Sequence, residues 1–330
     1  MPANLTPQYS KADEEYRQAK TSEEKLACLQ KMWALLPKHK GTEKLQAELK
    51  QRISRTKKES QQEKKSGKKG PSVRVPRDGA GQVFLIGAPN VGKSQLLAAL
   101  TNAHPQVAPY PFTTHAPSPG MMPWHDVHVQ LVDTPPISAD YLEGYLSGMV
   151  HGADLCVLVL DLSTDDGPEQ AQEAIDRLAQ SKSYLVGSLS PDEMGDDDAG
   201  FTKTLLAANK CDSPGAAERL DIVRELFAEQ FPILPISATE GTGLETLRDA
   251  IYAALEVIRV YTKQPGKPAD RQRPFTCPAG STVVEFAAQV HNDFATNLKT
   301  AKVWGSSAFD GQNVKRDHQL QDGDVVELHV

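Results

Sequence analysis

Eight residues of this 330-residue chain, Gly87 to Ser94 (GAPNVGKS), have the types and spacing of a phosphate cradle. The pattern is G-x-x-x-x-G-K-S. It follows a short apolar run (QVFLI) and opens a helix-forming one (KSQLLAAL), the context such a loop requires. Gly87 and Gly92 let backbone N–H groups turn inward around phosphate oxygens. Lys93 has the reach and charge for β- and γ-phosphates, and the Ser94 hydroxyl suits magnesium. The stretch Gly87, Ala88, Pro89, Asn90, Val91, Gly92, Lys93, Ser94 and Gln95 is therefore expected to line a nucleotide. A ligand-free glycine turn would not call for Lys and Ser at those offsets.

NKCD, residues 209–212, is a second constellation, placed after the apolar run TLLAA. The Asp212 carboxylate can accept two hydrogen bonds from the N1–H and N2–H2 edge that guanine has and adenine lacks. A carboxylate left unpaired by the wrong base makes such a site selective, which speaks against an ATPase. Asn209 is expected to tie this loop to the phosphate loop, and the Lys210 stem to lie along the base. Ser237, Ala238 and Thr239, after the run ILPI, would bring a backbone N–H to the guanine O6.

Apolar runs alternate with amphipathic ones from Gln82 onward. QVFLIG, DVHVQLVD, LCVLVLD, TKTLLAANK and FPILPIS read as strands. PEQAQEAIDRLAQ, AAERLDIVRELFAEQ and LETLRDAIYAALEVIRVY read as helices. That alternation implies an α/β domain with a mostly parallel sheet covered on both faces. Before it, Leu26, Leu29, Met32, Trp33 and Leu36 recur at helical spacing. Pro37 and Gly41 interrupt the run and Thr42 caps a second one, so residues 1–63 read as a helical hairpin with a basic end. Residues 64–81 read as a basic flexible linker, 82–261 as the α/β domain and 262–273 (polar, with Pro and Gly) as a second linker. Residues 274–330 read as a small α+β module, with STVVEFAAQVHNDF helical and KTAKVWG and DVVELHV as strands.

The net charge of −7 is unevenly spread: residues 1–80 hold 19 Lys/Arg against 10 Asp/Glu, and the remainder 17 against 33. In RTKKESQQEKKSGKKG, seven basic residues outweigh Glu59 and Glu63, the footprint of an arm that meets a polyanion without reading its sequence. A solvated tether is the plainer alternative. The segment SLSPDEMGDDDAG reads as a solvated acidic loop. The longest apolar run, LCVLVLDL at residues 155–162, is too short to cross a membrane. Cys28, Cys156, Cys211 and Cys277 are scattered without metal-binding spacing, which fits a reduced, cytoplasmic protein.

GAPNVGKS, YPFTT, DTP, NKCD and SAT follow one another in the order of the five G motifs of translation-factor-class (TRAFAC) GTPases. YPFTT at 110–114 resembles the switch I of the Obg and developmentally regulated GTP-binding (DRG) families. The stretch from RPFTCPAGSTVVEFAAQVH to DGDVVELHV resembles a TGS domain, a ubiquitin-like β-grasp unit. The resemblance implies a P-loop G domain between an N-terminal helical hairpin and a C-terminal TGS module. It further implies GTP/GDP and Mg2+ as cofactors. Thr113 or Thr114 would supply the switch I hydroxyl to magnesium, with Thr114 preferred, and Asp133 would hold the ion through a water, beside Ser94. Asn90 matches the asparagine that in related GTPases helps bind K+, whose charge stands in for an arginine finger. Lys93, Asn90, Thr114 and Asp133 are thus the expected catalytic set. The expected partner is the ribosome or other structured RNA, met by the basic arm and the TGS module, with no membrane and no DNA sequence readout. The TGS module is acidic at its end and shows no aromatic stacking platform in sequence, which suits a protein contact.

One position departs from the family pattern. Where D-x-x-G places a glycine whose N–H bonds the γ-phosphate, this chain has Pro136, preceded by Pro135. Proline has no N–H, so that backbone signal cannot form, at a cost of about 1.5–3 kcal/mol for one charge-assisted hydrogen bond. Ile137, next in line, cannot orient water, and His115 past switch I is a candidate helper. Slow GTP hydrolysis is the expected activity. A GTP/GDP-binding adaptor with negligible turnover is the alternative.

Overall fold

The computed structural model describes residues 22–36, 49–54, 75–101, 117–188 and 200–330, together with Gln8, Tyr16 and Thr56. Switch I with Thr113, Thr114 and His115, the hairpin turn at Pro37–Thr42, residues 64–74 of the basic linker and most of the acidic loop lie outside them. The chain forms two units, residues 1–72 and 73–330. In the first, helix α1 (Ser22–Leu35) and a helical segment at 49–54 share a small core of Leu29, Met32, Leu36 and Leu49, flanked by Trp33 and Ile53.

The second unit holds two sheets. The larger takes β1 (Gln82–Ile86), β2 (Ser118–Trp124), β3 (Val127–Asp133), β4 (Leu155–Asp161), β5 (Ser183–Val186), β6 (Gly200–Asn209) and β7 (Ile233–Pro235). Their order is β2-β3-β1-β4-β6-β5, with β7 beside β5 on the same edge of β6; only β2 runs antiparallel. Alternation along β1 shows why both faces must be covered. Val83 and Leu85 pack with Leu96, Leu100 of α2 (Lys93–Thr101) and Leu247, Ile251 of α6 (Leu244–Ala254). Phe84 and Ile86 face the other layer. That layer comprises α3 (Leu146–His151), α4 (Gly167–Ala179) and α5 (Ala216–Phe227), which contribute Leu146, Leu178 and Phe227. A strand buried on both faces reads as a continuous apolar run, as β1 and β4 do.

The smaller sheet has β8 (Val257–Lys263), β9 (Ala269–Pro278), β10 (Thr300–Trp304), β11 (Gln312–Val314) and β12 (Asp324–His329), ordered β11-β10-β12-β8-β9. Its inner face packs Ile258, Val260, Ala301, Val303 and Val326 against Phe286 of α7 (Val283–Val290), which precedes α8 (Asn292–Asn297). A capping box between Thr282 and Glu285 starts α7. This is the β-grasp-like sheet expected of the terminal module. Among the described residues, no helix is long and apolar enough to cross a membrane.

Three boundaries differ from the sequence expectation. The amphipathic run LETLRDAIYAALEVIRVY is not one helix: α6 stops at Ala254, Glu256 takes a left-handed φ of 51°, and Val257–Lys263 is a strand. The residues there are β-branched or aromatic at Val257, Ile258, Val260 and Tyr261, and the sheet partner decides the outcome over helical spacing. Residues 262–273 are not a linker but the end of β8, a turn with Gly266 at φ 73°, and the start of β9. Strand β9 lies at a sheet edge, where Pro and polar residues are tolerated. Residues 75–81, assigned to the basic linker, are seated on the G domain: Gly79 bridges Val129, the Ala80 N–H reaches the His128 carbonyl at 2.7 Å, and Val75 is buried.

The two sheets of the second unit meet at the β2–β3 turn. Trp124 stacks on Tyr252 at 3.5 Å between centroids and 14° between planes, and its indole N–H donates to Asp249 at 2.8 Å. Asp126 accepts from Arg259 at 2.8 Å and from the Tyr261 hydroxyl. Arg259 also forks onto Asp322 at 2.7 and 3.1 Å and lies over the Trp124 ring.

Candidate functional site

Interior strands of the larger sheet end in the expected motifs, so the loops at their carboxyl ends gather in one place. After β1 the chain turns at Gly87 (φ 142°), Asn90 (φ 61°) and Gly92 (φ 95°) and enters α2. A side chain at Gly87 would meet the Val159 carbonyl at 2.5 Å, and one at Gly92 the Asn209 amide at 2.4 Å. Both glycines are therefore required by close approach as well as by conformation. Around this turn lies an open cleft of ≈ 550 Å³, lined by Pro89, Asn90, Gly92, Lys93, Ser94, Gln95, Asp133, Thr134, Pro135 and Pro136.

Lys93 is buried, and its ammonium donates to the Gly87 carbonyl at 3.0 Å and the Ala88 carbonyl at 2.8 Å. Burial pushes its pKa down from 10.5 to about 8, against the pull of the nearby Asp133. Asp133, at the end of β3, accepts a hydrogen bond from the Ser94 hydroxyl through one oxygen. Its other oxygen, Oδ1, is buried with no hydrogen-bond partner. Burial raises the Asp133 carboxyl above its ordinary value, although Ser94 and Lys93 oppose the shift. An unpartnered buried carboxylate oxygen beside a hydroxyl is a costly arrangement unless a cation or donor completes it. Two hard oxygens from Ser94 and Asp133 fit the donor set that magnesium takes.

The base side is assembled by Asn209, which is fully buried at the end of β6. Its amide N–H2 donates to the Val91 carbonyl at 2.8 Å, and its side-chain oxygen accepts from the Ala238 N–H at 3.0 Å. One side chain thus pins together the phosphate loop, the NKCD loop and the SAT loop. Lys210, at φ 63°, reaches the Asn90 carbonyl at 3.2 Å. Asp212 is exposed beside it. Ser237 is buried and its hydroxyl accepts from the Glu240 N–H at 3.0 Å, shaping the turn that carries Ala238. Gln95 closes the ring by donating to the Thr239 hydroxyl at 3.0 Å.

Residues 134–137, the stretch where the family pattern places switch II, are clamped to the end of β1 and to the phosphate loop. The Thr134 hydroxyl donates to the Leu85 carbonyl at 2.7 Å, and the Ile137 N–H donates to the Gly87 carbonyl at 3.0 Å. Ile137 is fully buried. The first N–H after the two prolines is therefore already committed to protein.

The structure brings together Gly87–Gln95, Asp133, Asn209, Lys210, Asp212 and Ser237–Thr239. Thr113 and Thr114 fall outside the described residues. Sequence reasoning passed over Asp161, the buried last residue of β4, which ion-pairs with Lys210. The one available signal was a carboxylate closing the apolar run LCVLVLD.

Comparison with known proteins agrees with this arrangement. Residues 82–188 match the family described as 50S ribosome-binding GTPase, and residues 258–330 match the TGS domain. The TGS match begins within β8, in keeping with its place in the smaller sheet. A GTP-binding protein of Halobacterium salinarum is 27% identical over 363 residues, covering 93% of this chain and 98% of its own. Developmentally-regulated G-protein 2 of Arabidopsis thaliana is 29% identical over 365 residues, covering 92% of this chain and 90% of its own. The solved structure of the Schizosaccharomyces pombe YchF GTPase superposes with a TM-score of 0.50 over 77% of this chain and 99% of that one. At 13% identity, that likeness concerns the fold alone.

Proposed function

We propose that this chain, whose G-domain and TGS matches set it beside the developmentally regulated GTP-binding proteins, is a slow, magnesium-dependent GTPase, stimulated by potassium, that acts on ribosomes or other structured RNA. The observation that carries the enzymatic reading is the pairing of Asp133 and Ser94 at the floor of the phosphate cleft, with Asp133 Oδ1 unsatisfied. When bound there, magnesium would supply charge neutralisation between the β- and γ-phosphates. Lys93 would place its ammonium against the same oxygens, in a buried setting where such a charge is worth more than in water. Asn209 and Lys210 would hold the base loop to the phosphate loop, and Asp212 would read the guanine edge.

Asn90 supports the potassium clause. It lies exposed in the left-handed region, and among the described residues its side chain makes no hydrogen bond while its carbonyl is taken by Lys210. The RNA clause is supported by the family description of the G domain and by the basic segment at 55–70. Single-turnover hydrolysis of radiolabelled GTP, in potassium and in sodium, with and without ribosomes, tests both. Turnover that rises with potassium or ribosomes is the expected result. Equal turnover in the two salts removes the potassium clause, and indifference to ribosomes removes the partner.

A second reading has its own observation. Pro135 and Pro136 have no N–H, and the Ile137 N–H is held by Gly87, so no backbone donor at 135–137 is free to report the γ-phosphate. A nucleotide-bound adaptor with negligible hydrolysis follows if tight GTP binding is found without turnover under any of those conditions.

A further inference from the structure

Strand β4 ends on a carboxylate that the proposed chemistry does not use. Asp161 is buried, only 7% exposed. Its Oδ2 ion-pairs with the Lys210 ammonium, and its Oδ1 accepts from the Ser163 N–H at 2.7 Å and the Ser163 hydroxyl at 2.6 Å. Burial alone would raise this carboxyl, but the hydrogen bonds from Lys210 and Ser163 outweigh it and hold it below its ordinary value. Lys210 is a non-glycine residue in the left-handed region, at φ 63°. Its side chain ends between Asp161 and the Asn90 carbonyl, 3.2 Å away. A flexible lysine stem is thereby fixed at both ends, in the space between the base loop and the phosphate loop. The neighbouring backbone follows the same line, since the Leu162 N–H donates to the Asn209 carbonyl at 2.9 Å.

We propose that Asp161 is a positioning residue of the guanine site, which holds Lys210 so that its stem forms a wall for the base and its ammonium tethers the phosphate loop at Asn90. The inference rests on residues 209–212 being the base loop. It deepens that reading by assigning the group that orders it. Both Asp161 oxygens are taken up by Ser163 and Lys210, so it acts through Lys210. A carboxylate suits the task because only an anion both neutralises a partly buried ammonium and accepts from the Ser163 turn.

Asp161→Asn separates these two jobs. The asparagine oxygen can keep the Ser163 bonds, while its NH2 faces the Lys210 ammonium as a second donor. In equilibrium binding to the full chain, GDP and GTP affinities should fall by the same factor, roughly tenfold to a hundredfold, the equivalent of one charge-assisted hydrogen bond. Lys210→Met should reproduce that loss, and Asp161→Asn should add nothing in the Lys210→Met background. Ser163→Ala, which removes only the turn hydroxyl, should leave both affinities unchanged. Unchanged affinities in Asp161→Asn, a loss that adds in full to that of Lys210→Met, or an equal loss in Ser163→Ala overturns the proposal. Failure of the base-loop reading would look different: the wild-type chain would bind ATP as well as GTP before any variant is made.

Discussion

The nucleotide site and the seam between the two sheets are both clusters of charge and hydrogen bonds, yet they are built in opposite ways. At the site, contiguous motifs sit at the ends of neighbouring interior strands, and one group is left unsatisfied, the buried Asp133 Oδ1. At the seam, Trp124, Asp126, Asp249, Arg259 and Asp322 come from distant stretches and pair with one another, and the one buried group left over, the Tyr252 hydroxyl, sits on a ring stacked under Trp124. The pKa shifts follow suit. Burial pushes Lys93 down, whereas the hydrogen bonds that Arg259 donates to Asp322 and then to Asp126 raise it further above its ordinary value. An unpaired charge lining a cleft marks a place that waits for a ligand, and charges paired across two sheets mark one that holds domains together.

The largest effect expected from this contrast is a pH dependence confined to the site. Lys93 must be charged to meet phosphates, but in the free protein its pKa is lowered to about 8. Bound phosphate raises it again, so binding takes up a proton once the pH exceeds that value. Affinity for GDP should therefore hold below pH 8 and fall about tenfold per unit above it, near a hundredfold by pH 10. Titrations across that range, paired with proton uptake measured in buffers of different ionisation heat, check the sign. An affinity flat to pH 10 would show that Lys93 is not desolvated in the free state.

Somewhat smaller is the effect of restoring a donor to switch II. Pro136 lines the phosphate cleft. Pro136→Gly supplies an N–H where the family pattern has one, and should raise the preference for GTP over GDP by about tenfold or more, the range of one charge-assisted hydrogen bond. Competition binding of both nucleotides measures the ratio. Unchanged affinities would mean that the clamp of Ile137 on Gly87, not the missing N–H, sets the switch.

The same contrast explains what the sequence disclosed. Strands β1, β3, β4 and β6 are interior, so their apolar runs are long and their carboxyl ends carry the motifs; all four were legible. Strands β2, β5, β9 and β11 lie at sheet edges and were not. Proline interrupts β2 at Pro119 and Pro123, and β9 is polar through Arg271, Gln272 and Arg273, which an edge permits because one row of backbone groups needs no partner. The last five residues of LETLRDAIYAALEVIRVY became part of β8, because pairing with β9 and β12 outweighs local preference. Asp161 escaped notice for another reason: its role depends on Lys210, 49 positions away.

The smallest effects belong to the seam, and they test whether the two regions are independent. Trp124→Ala removes a stacked ring and the hydrogen bond to Asp249. Full burial would make such a truncation cost about 3–5 kcal/mol, and for the half-buried Trp124 about 2 kcal/mol is expected in chemical denaturation. Asp126→Asn should cost about 1 kcal/mol or less, since the pair is partly solvated. Burial raises the Asp126 carboxyl, but hydrogen bonds from Tyr261 and Arg259 outweigh it and hold it below the ordinary 3.8. Its stabilisation is therefore complete above that value and is lost as the pH falls through the lowered folded-state pKa, so Asp126→Asn should flatten the acid limb of the stability curve below pH 3.8. Neither variant should change GDP affinity more than about twofold, because β1 holds β3 over residues 130–133, at the end that carries Asp133, whatever happens at its turn. A seam variant that did weaken GDP would join the two regions through β3, whose ends carry Asp126's turn and Asp133, and the TGS domain would then take part in nucleotide binding.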